Sequence, residues 1–154
     1  MRRLLATVVV STTLLLMSCS GEPEGAPLEE DPQLSAQIEE LRETGGTRPL
    51  IELVPGDWDT VYIARDPLTR DRVEQDVGQS IDMPDLFTLG NILVFMKGEA
   101  VVRAVQISPV QIHPGTSLVV KYTSAVQLVA PRPGTIQARP IEPGQPVPGV
   151  PQSR

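Results

Sequence analysis

Asn-Ile-Leu-Val-Phe-Met-Lys-Gly-Glu-Ala-Val-Val-Arg-Ala-Val-Gln-Ile, residues 91–107, is the stretch on which the fold turns. Asn91 to Met96 is apolar almost throughout, with no polar alternation, as expected of a strand covered on both faces. Such a strand belongs at the centre of a sheet. Lys97, Gly98 and Glu99 make a tight turn, and Ala100 to Ile107 returns as an antiparallel neighbour.

Outward from this hairpin, Ser117 to Val129 is a second extended segment. Leu118, Val120, Tyr122, Val126 and Leu128 share one parity, and Lys121, Thr123 and Gln127 share the other. The run exceeds the usual strand length of about 5–6 residues, so a bulge or bend is expected between Thr123 and Ala125. On the amino-terminal side, Leu50 to Val54 and Trp58 to Ala64 read as short strands separated by Pro55 and Gly56. A helix starts at Asp66-Pro67, places Thr69, Val73 and Val77 on one face, and stops at Gly78. Gln79 to Gly90 reads as a loop with a turn. An earlier helix has Asp31 as cap, Pro32 in its first turn, Leu34, Ile38 and Leu41 as its apolar stripe, and Gly45-Gly46 as its stop. The sum is an α+β domain over residues 33–130: an antiparallel sheet of four or five strands with one or two helices on one face.

Composition frames that domain. The chain has 154 residues, and seven of its 16 prolines lie from Pro131 onward, so 131–154 reads as a Pro-rich, disordered tail. Within it Pro143, Pro146, Pro148 and Pro151 either form a polyproline docking face for an aromatic groove or have no fixed structure. Residues 19–32 carry acid, glycine and proline with few apolar side chains, the composition of a flexible tether. Aromatic residues are 3% of the chain, which leaves the core to valine, leucine and isoleucine, residues suited to sheet.

The amino terminus carries the most specific motif. Arg2 and Arg3 precede an apolar block from Leu4 to Met17, shorter than the roughly 20 residues that a membrane-crossing helix needs. This is the three-part pattern of a signal peptide, residues 1–18. Leu16-Met17-Ser18-Cys19 resembles the lipobox of bacterial lipoproteins. The resemblance implies a diacylglycerol thioether on Cys19, cleavage between Ser18 and Cys19, and acylation, for instance by palmitate, of the new amino group. Each buried methylene contributes about 0.8 kcal/mol, so one chain binds marginally while two or three hold a protein. Two other readings are a plain signal peptide with a chance cysteine and twin-arginine export through Arg2-Arg3. Ser20 stands where an aspartate would resemble an inner-membrane retention signal, which directs the expectation to an outer membrane if the cell has one. Otherwise it is the cell membrane, on its extracytoplasmic side. After cleavage 11 cations face 19 carboxylates, a formal charge of −8, and nucleic acid is excluded as a partner.

Chemistry is sparse in the remainder. His113, the single histidine, sits in an Ile-His-Pro-Gly turn, and neither Ser108 nor Ser117 is framed as a nucleophile elbow. A zinc site would need ligands that the processed chain lacks, and no glycine loop cradles phosphate. The candidate ligand-binding unit is Asp57-Trp58-Asp59. On a strand its two carboxylates share one face about 7 Å apart, where they could hold calcium or sugar hydroxyls, with the indole opposite. The plainer reading is an acidic strand entrance with a core tryptophan. Asp82 and Asp85 read as solvated.

The order Trp-Asp-Thr-Val-Tyr-Ile at 58–63, then Thr69, Val73, Glu74 and Gly78, then Gly90 to Val102, resembles small uncharacterised bacterial lipoproteins with a Trp-Asp strand. A helix ending in Val-Gly before three strands also resembles small outer-membrane assembly lipoproteins. Neither resemblance brings an activity. The expected function is a membrane-anchored extracytoplasmic module, not an enzyme and without metal or cofactor, that binds or scaffolds an envelope protein through its sheet face or an edge strand. The alternatives are a carboxylate-dependent hydrolase of cell-wall sugars and a calcium or small-ligand sensor.

Overall fold

A computed structural model describes residues 25–143. In chain order the elements are β1 (Ala26–Glu30), α1 (Pro32–Thr44), β2 (Gly46–Pro49), α2 (Leu50–Leu53), β3 (Thr60–Arg65), β4 (Leu68–Thr69), α3 (Arg70–Val77), β5 (Ile81–Asp82), β6 (Leu86–Phe87), β7 (Asn91–Lys97), β8 (Ala100–Ile107), β9 (Ile112–His113), β10 (Val119–Thr123), β11 (Val126–Arg132) and β12 (Thr135–Pro140). The class is α+β.

The β7–β8 hairpin organises this chain. Its strands pair antiparallel from Asn91 opposite Ile107 to Lys97 opposite Ala100, with a register shift that leaves the half-exposed Val102 as an extra residue. β7 lies between β3 and β8 in a six-stranded sheet of order β10-β3-β7-β8-β1-β5. Asn91 to Met96 are all buried because both sheet faces are covered. Val61, Ile63, Leu93, Phe95, Val105 and Ile107 point to one face, where α1, α2 and a second sheet of order β2-β11-β12-β9 close the larger core. Ile92, Val94, Met96 and Ala104 point to the other, against Val73 and Val77 of α3 and the small β4–β6 pair. The alternation of strand side chains thus feeds two cores from one sheet.

The sequence-based expectation differs from this architecture in several places, among them the segment 79–90, read as a loop, which holds the short strands β5 and β6. Instead of four or five antiparallel strands there are sheets of six, four and two strands, and helices lie on both faces of the largest. β1 falls inside the span read as tether. It pairs in parallel with both β8 and β5, partners more than 50 residues away that leave no local pattern in the chain. Leu50 to Val54 is the short helix α2: Leu50, Leu53 and Val54 recur at i, i+3 and i+4 and are all buried, a helical period that a five-residue apolar run conceals. α3 begins at Arg70 because Asp66 and Pro67 lead into β4. The Asp66 carboxylate accepts from Gln111 Nε2 at 2.8 Å and from the Gly90 amide at 3.3 Å. β12 occupies the span read as tail, where Ile136 and Ala138 alternate inward while the prolines sit in the turn at Pro133 and at the strand end, Pro140. Residues 1–24 and 144–154 lie outside the described residues.

Elsewhere the local chemistry reads through. Asp31 Oδ1 accepts from the Leu34 amide at 2.8 Å, Pro32 opens α1, and Leu34, Ile38 and Leu41 are its buried stripe. Gly78 takes the left-handed conformation that ends α3. The bend expected near Thr123 is a change of sheet: β10 ends the six-stranded sheet, Ser124-Ala125 crosses over, and β11 continues in the second sheet.

Candidate functional site

Asp57, Trp58 and Asp59 precede β3 and do not lie on a strand. Trp58 is buried, its ring centre 5.0 Å from that of Phe95 in an edge-to-face arrangement, and its indole N–H donates to the Val54 carbonyl at 2.9 Å. The carboxylates on either side go to separate partners on the β7–β8 turn. Asp57 Oδ1 is 2.7 Å from Lys97 Nζ, and Asp59 Oδ2 accepts from the Gly98 amide at 3.0 Å. The Asp59 backbone adds an amide bond to the Met96 carbonyl and a carbonyl bond from the Ser124 amide, both at 2.9 Å. One residue therefore ties the hairpin turn to the crossover between sheets.

The Gly98 amide, the Thr60 side chain and the nearby ammonium groups of Lys97 and Lys121 hold the Asp59 carboxyl below the usual aspartate range. Since this group is more acidic folded than unfolded, its contribution is present above the unfolded value and is lost as pH falls through the folded one. Asp59→Asn is expected to lower the melting temperature at neutral pH and to flatten the acid limb, so that the two profiles converge as pH falls. Parallel acid limbs for the two proteins would show that the turn does not depend on this charge. The Asp57–Lys97 pair is solvent-exposed and contributes little.

An open cavity of about 360 Å³ adjoins this corner, lined among others by Thr60, Tyr62, Val77, Gly98, Glu99 and Lys121. Lys121 Nζ stands 5.5 Å from the centre of the Tyr62 ring. Neither Asp57 nor Asp59 lines it. Asp82 is exposed on β5, and Asp85 meets Arg70 at 2.8 Å on the surface.

His113 is half-buried, with Nδ1 2.9 Å from Arg65 Nη1. A guanidinium only donates, so Nδ1 is the acceptor and the ring hydrogen sits on Nε2. The structure thus gives this histidine an arginine partner where a triad requires a carboxylate. Among the described residues, no three His, Cys, Asp or Glu side chains converge as a metal site, and no helix is long and apolar enough to cross a membrane. Cys19 lies outside them.

Two polar anchors escape sequence reasoning. Asn91 is fully buried, donates through Nδ2 to the carbonyls of Ala64 at 3.2 Å and Ile112 at 2.9 Å, and accepts the Ile112 amide at 2.6 Å. Tyr122 donates its hydroxyl toward the carbonyls of Pro114 and Ala138, joining β10 to the second sheet. The one available signal is Asn91 itself, a carboxamide opening an otherwise apolar run. No protein-family model, no curated protein and no solved structure matches the chain.

Proposed function

We propose that this protein is a lipid-anchored, extracytoplasmic lipoprotein of the cell membrane or outer membrane, a module that binds or scaffolds an envelope protein without catalysing a reaction. The observation that carries the reading is the amino-terminal order: two arginines, an apolar block too short to span a bilayer, then Leu16-Met17-Ser18-Cys19. The structure is compatible with it in one respect. Strand β1 starts at Ala26, so in sequence the folded domain follows Cys19 closely, as in a module acting near a surface.

The way the carboxylates of the Asp57-Trp58-Asp59 unit are used counts against the alternative of a carboxylate-dependent hydrolase. Asp57 and Asp59 each engage a different group of the hairpin turn, and Trp58 is packed against Phe95. A glycosidase pair faces a shared cleft with one carboxyl kept protonated, whereas Asp59 is made more acidic. Crosslinking in intact cells followed by partner identification tests the role. One reproducible envelope protein, recovered with the wild type and lost when its contact surface is altered, is the expected result. Turnover of wall saccharides by the purified domain would overturn it.

A further inference from the structure

Both ends of the described chain emerge at the same end of the six-stranded sheet. β1 runs parallel to β8, with Leu28 opposite Ala104, so the start of β1 lies toward Ala100 and the β7–β8 turn. Gly25 is pressed against the Ser80 backbone: a Cβ there would sit 2.7 Å from the Ser80 carbonyl, and the Ala26 amide donates to that carbonyl at 2.9 Å. Ser80 follows Gly78 and Gln79, which line the same cavity as Gly98 and Glu99. At the other terminus the Ile141 amide donates to the Ala125 carbonyl at 2.8 Å, beside the Ser124 amide that binds Asp59. The opposite end of the sheet holds Leu89, 63% exposed, over a cavity of about 440 Å³ lined also by Glu30, Gln106 and Ser108.

We propose that the end bearing Gly25, the Lys97–Ala100 turn and the Ser124–Ala125 crossover faces the membrane, with the Leu89 end turned away from it. This rests on the lipid-anchor reading of Cys19. Between Cys19 and Gly25 the chain reaches at most about 22 Å fully extended. The seven-residue strand β7, Asn91–Lys97, separates the two ends by about 20 Å. Turning the domain over would therefore use up almost the whole reach of this segment, a demand that the proposed orientation does not make. Charge does not set the orientation. Lys97 and Lys121, the two lysines of the chain, are balanced at this end by Asp57, Asp59 and Glu99, so an anionic surface exerts little pull. The segment following Ile141 then leaves the domain on its membrane side.

The test uses the full chain, acylated in a bacterial host and reconstituted into vesicles of phosphatidylcholine with varied phosphatidylglycerol. Once Cys19 carries lipid, Glu99→Cys and Thr88→Cys each present a single thiol for a fluorophore, at exposed positions on opposite ends. Headgroup-spin-labelled lipid is expected to quench the label at position 99 several-fold more than that at 88, independently of the phosphatidylglycerol fraction. Equal or reversed quenching with Cys19 acylated by intact mass overturns the orientation and leaves the anchor standing. Quenching that grows with phosphatidylglycerol overturns the claim that the tether sets it. A free thiol at Cys19 in the host-made protein overturns both.

Discussion

Cys19→Ala is expected to abolish incorporation of labelled palmitate and to leave the chain heavier than the wild type by its first 18 residues. The size of the effect follows from the anchoring chemistry. The chain has a single cysteine, so no second thiol could take the diacylglycerol, and under the proposed lipoprotein reading cleavage before position 19 would not proceed without it. Each buried methylene contributes about 0.8 kcal/mol, so a thioether diacylglycerol with two long chains holds the domain for practical times. The uncut Leu4 to Met17 block is a weaker anchor, since it falls short of a spanning helix. Alkaline extraction of membranes should therefore release the variant and not the wild type. Equal acyl labelling of the two proteins, or an identical mature mass, would refute the anchor. Acidic character sharpens the contrast: cleaved before Cys19 as proposed, the chain would carry a formal −8, a charge that an anionic surface repels.

What the sequence discloses is what short-range physics determines. α1 is legible from cap to stop because Asp31, Pro32, the Leu34-Ile38-Leu41 stripe and Gly45 act within one helix. The β7–β8 hairpin is legible because its pairing is local and its first strand lacks polar alternation. β1 is not, since a five-residue strand with three acidic or proline positions is recruited by β8 and β5 from far along the chain. The same holds for β12, where proline abundance outweighs an inward alternation of just two side chains. At the candidate site, residue types are legible and their geometry is not. Placing Asp57, Trp58 and Asp59 on a strand sends both carboxylates to one face. In the turn before β3 the indole enters the core while the carboxylates bind Lys97 and the Gly98 amide.

Asn91→Ala is expected to cost about 3–5 kcal/mol, a large share of the stability of a small domain. Asn91 opens the central strand of one sheet, and its carboxamide serves as a strand partner for Ile112 of the other, giving and receiving one hydrogen bond there and giving a second to Ala64. Truncation leaves the Ile112 amide and carbonyl without that partner in a site closed to solvent, and each buried orphan costs about 1–3 kcal/mol. The two sheets also lose a specific polar contact between them. Urea unfolding followed through Trp58, the single tryptophan, measures the loss, and a value below about 1 kcal/mol would mean that water or a local shift satisfies Ile112. Asn91→Asp separates the contributions. It keeps the acceptor but buries a charge, so its carboxyl is more basic folded than unfolded, and its penalty shrinks as pH falls and protonation restores a donor. The alanine variant has no such recovery. A deficit in the aspartate variant that persists unchanged into acid would show that what matters at position 91 is amide shape rather than hydrogen bonding across the sheets.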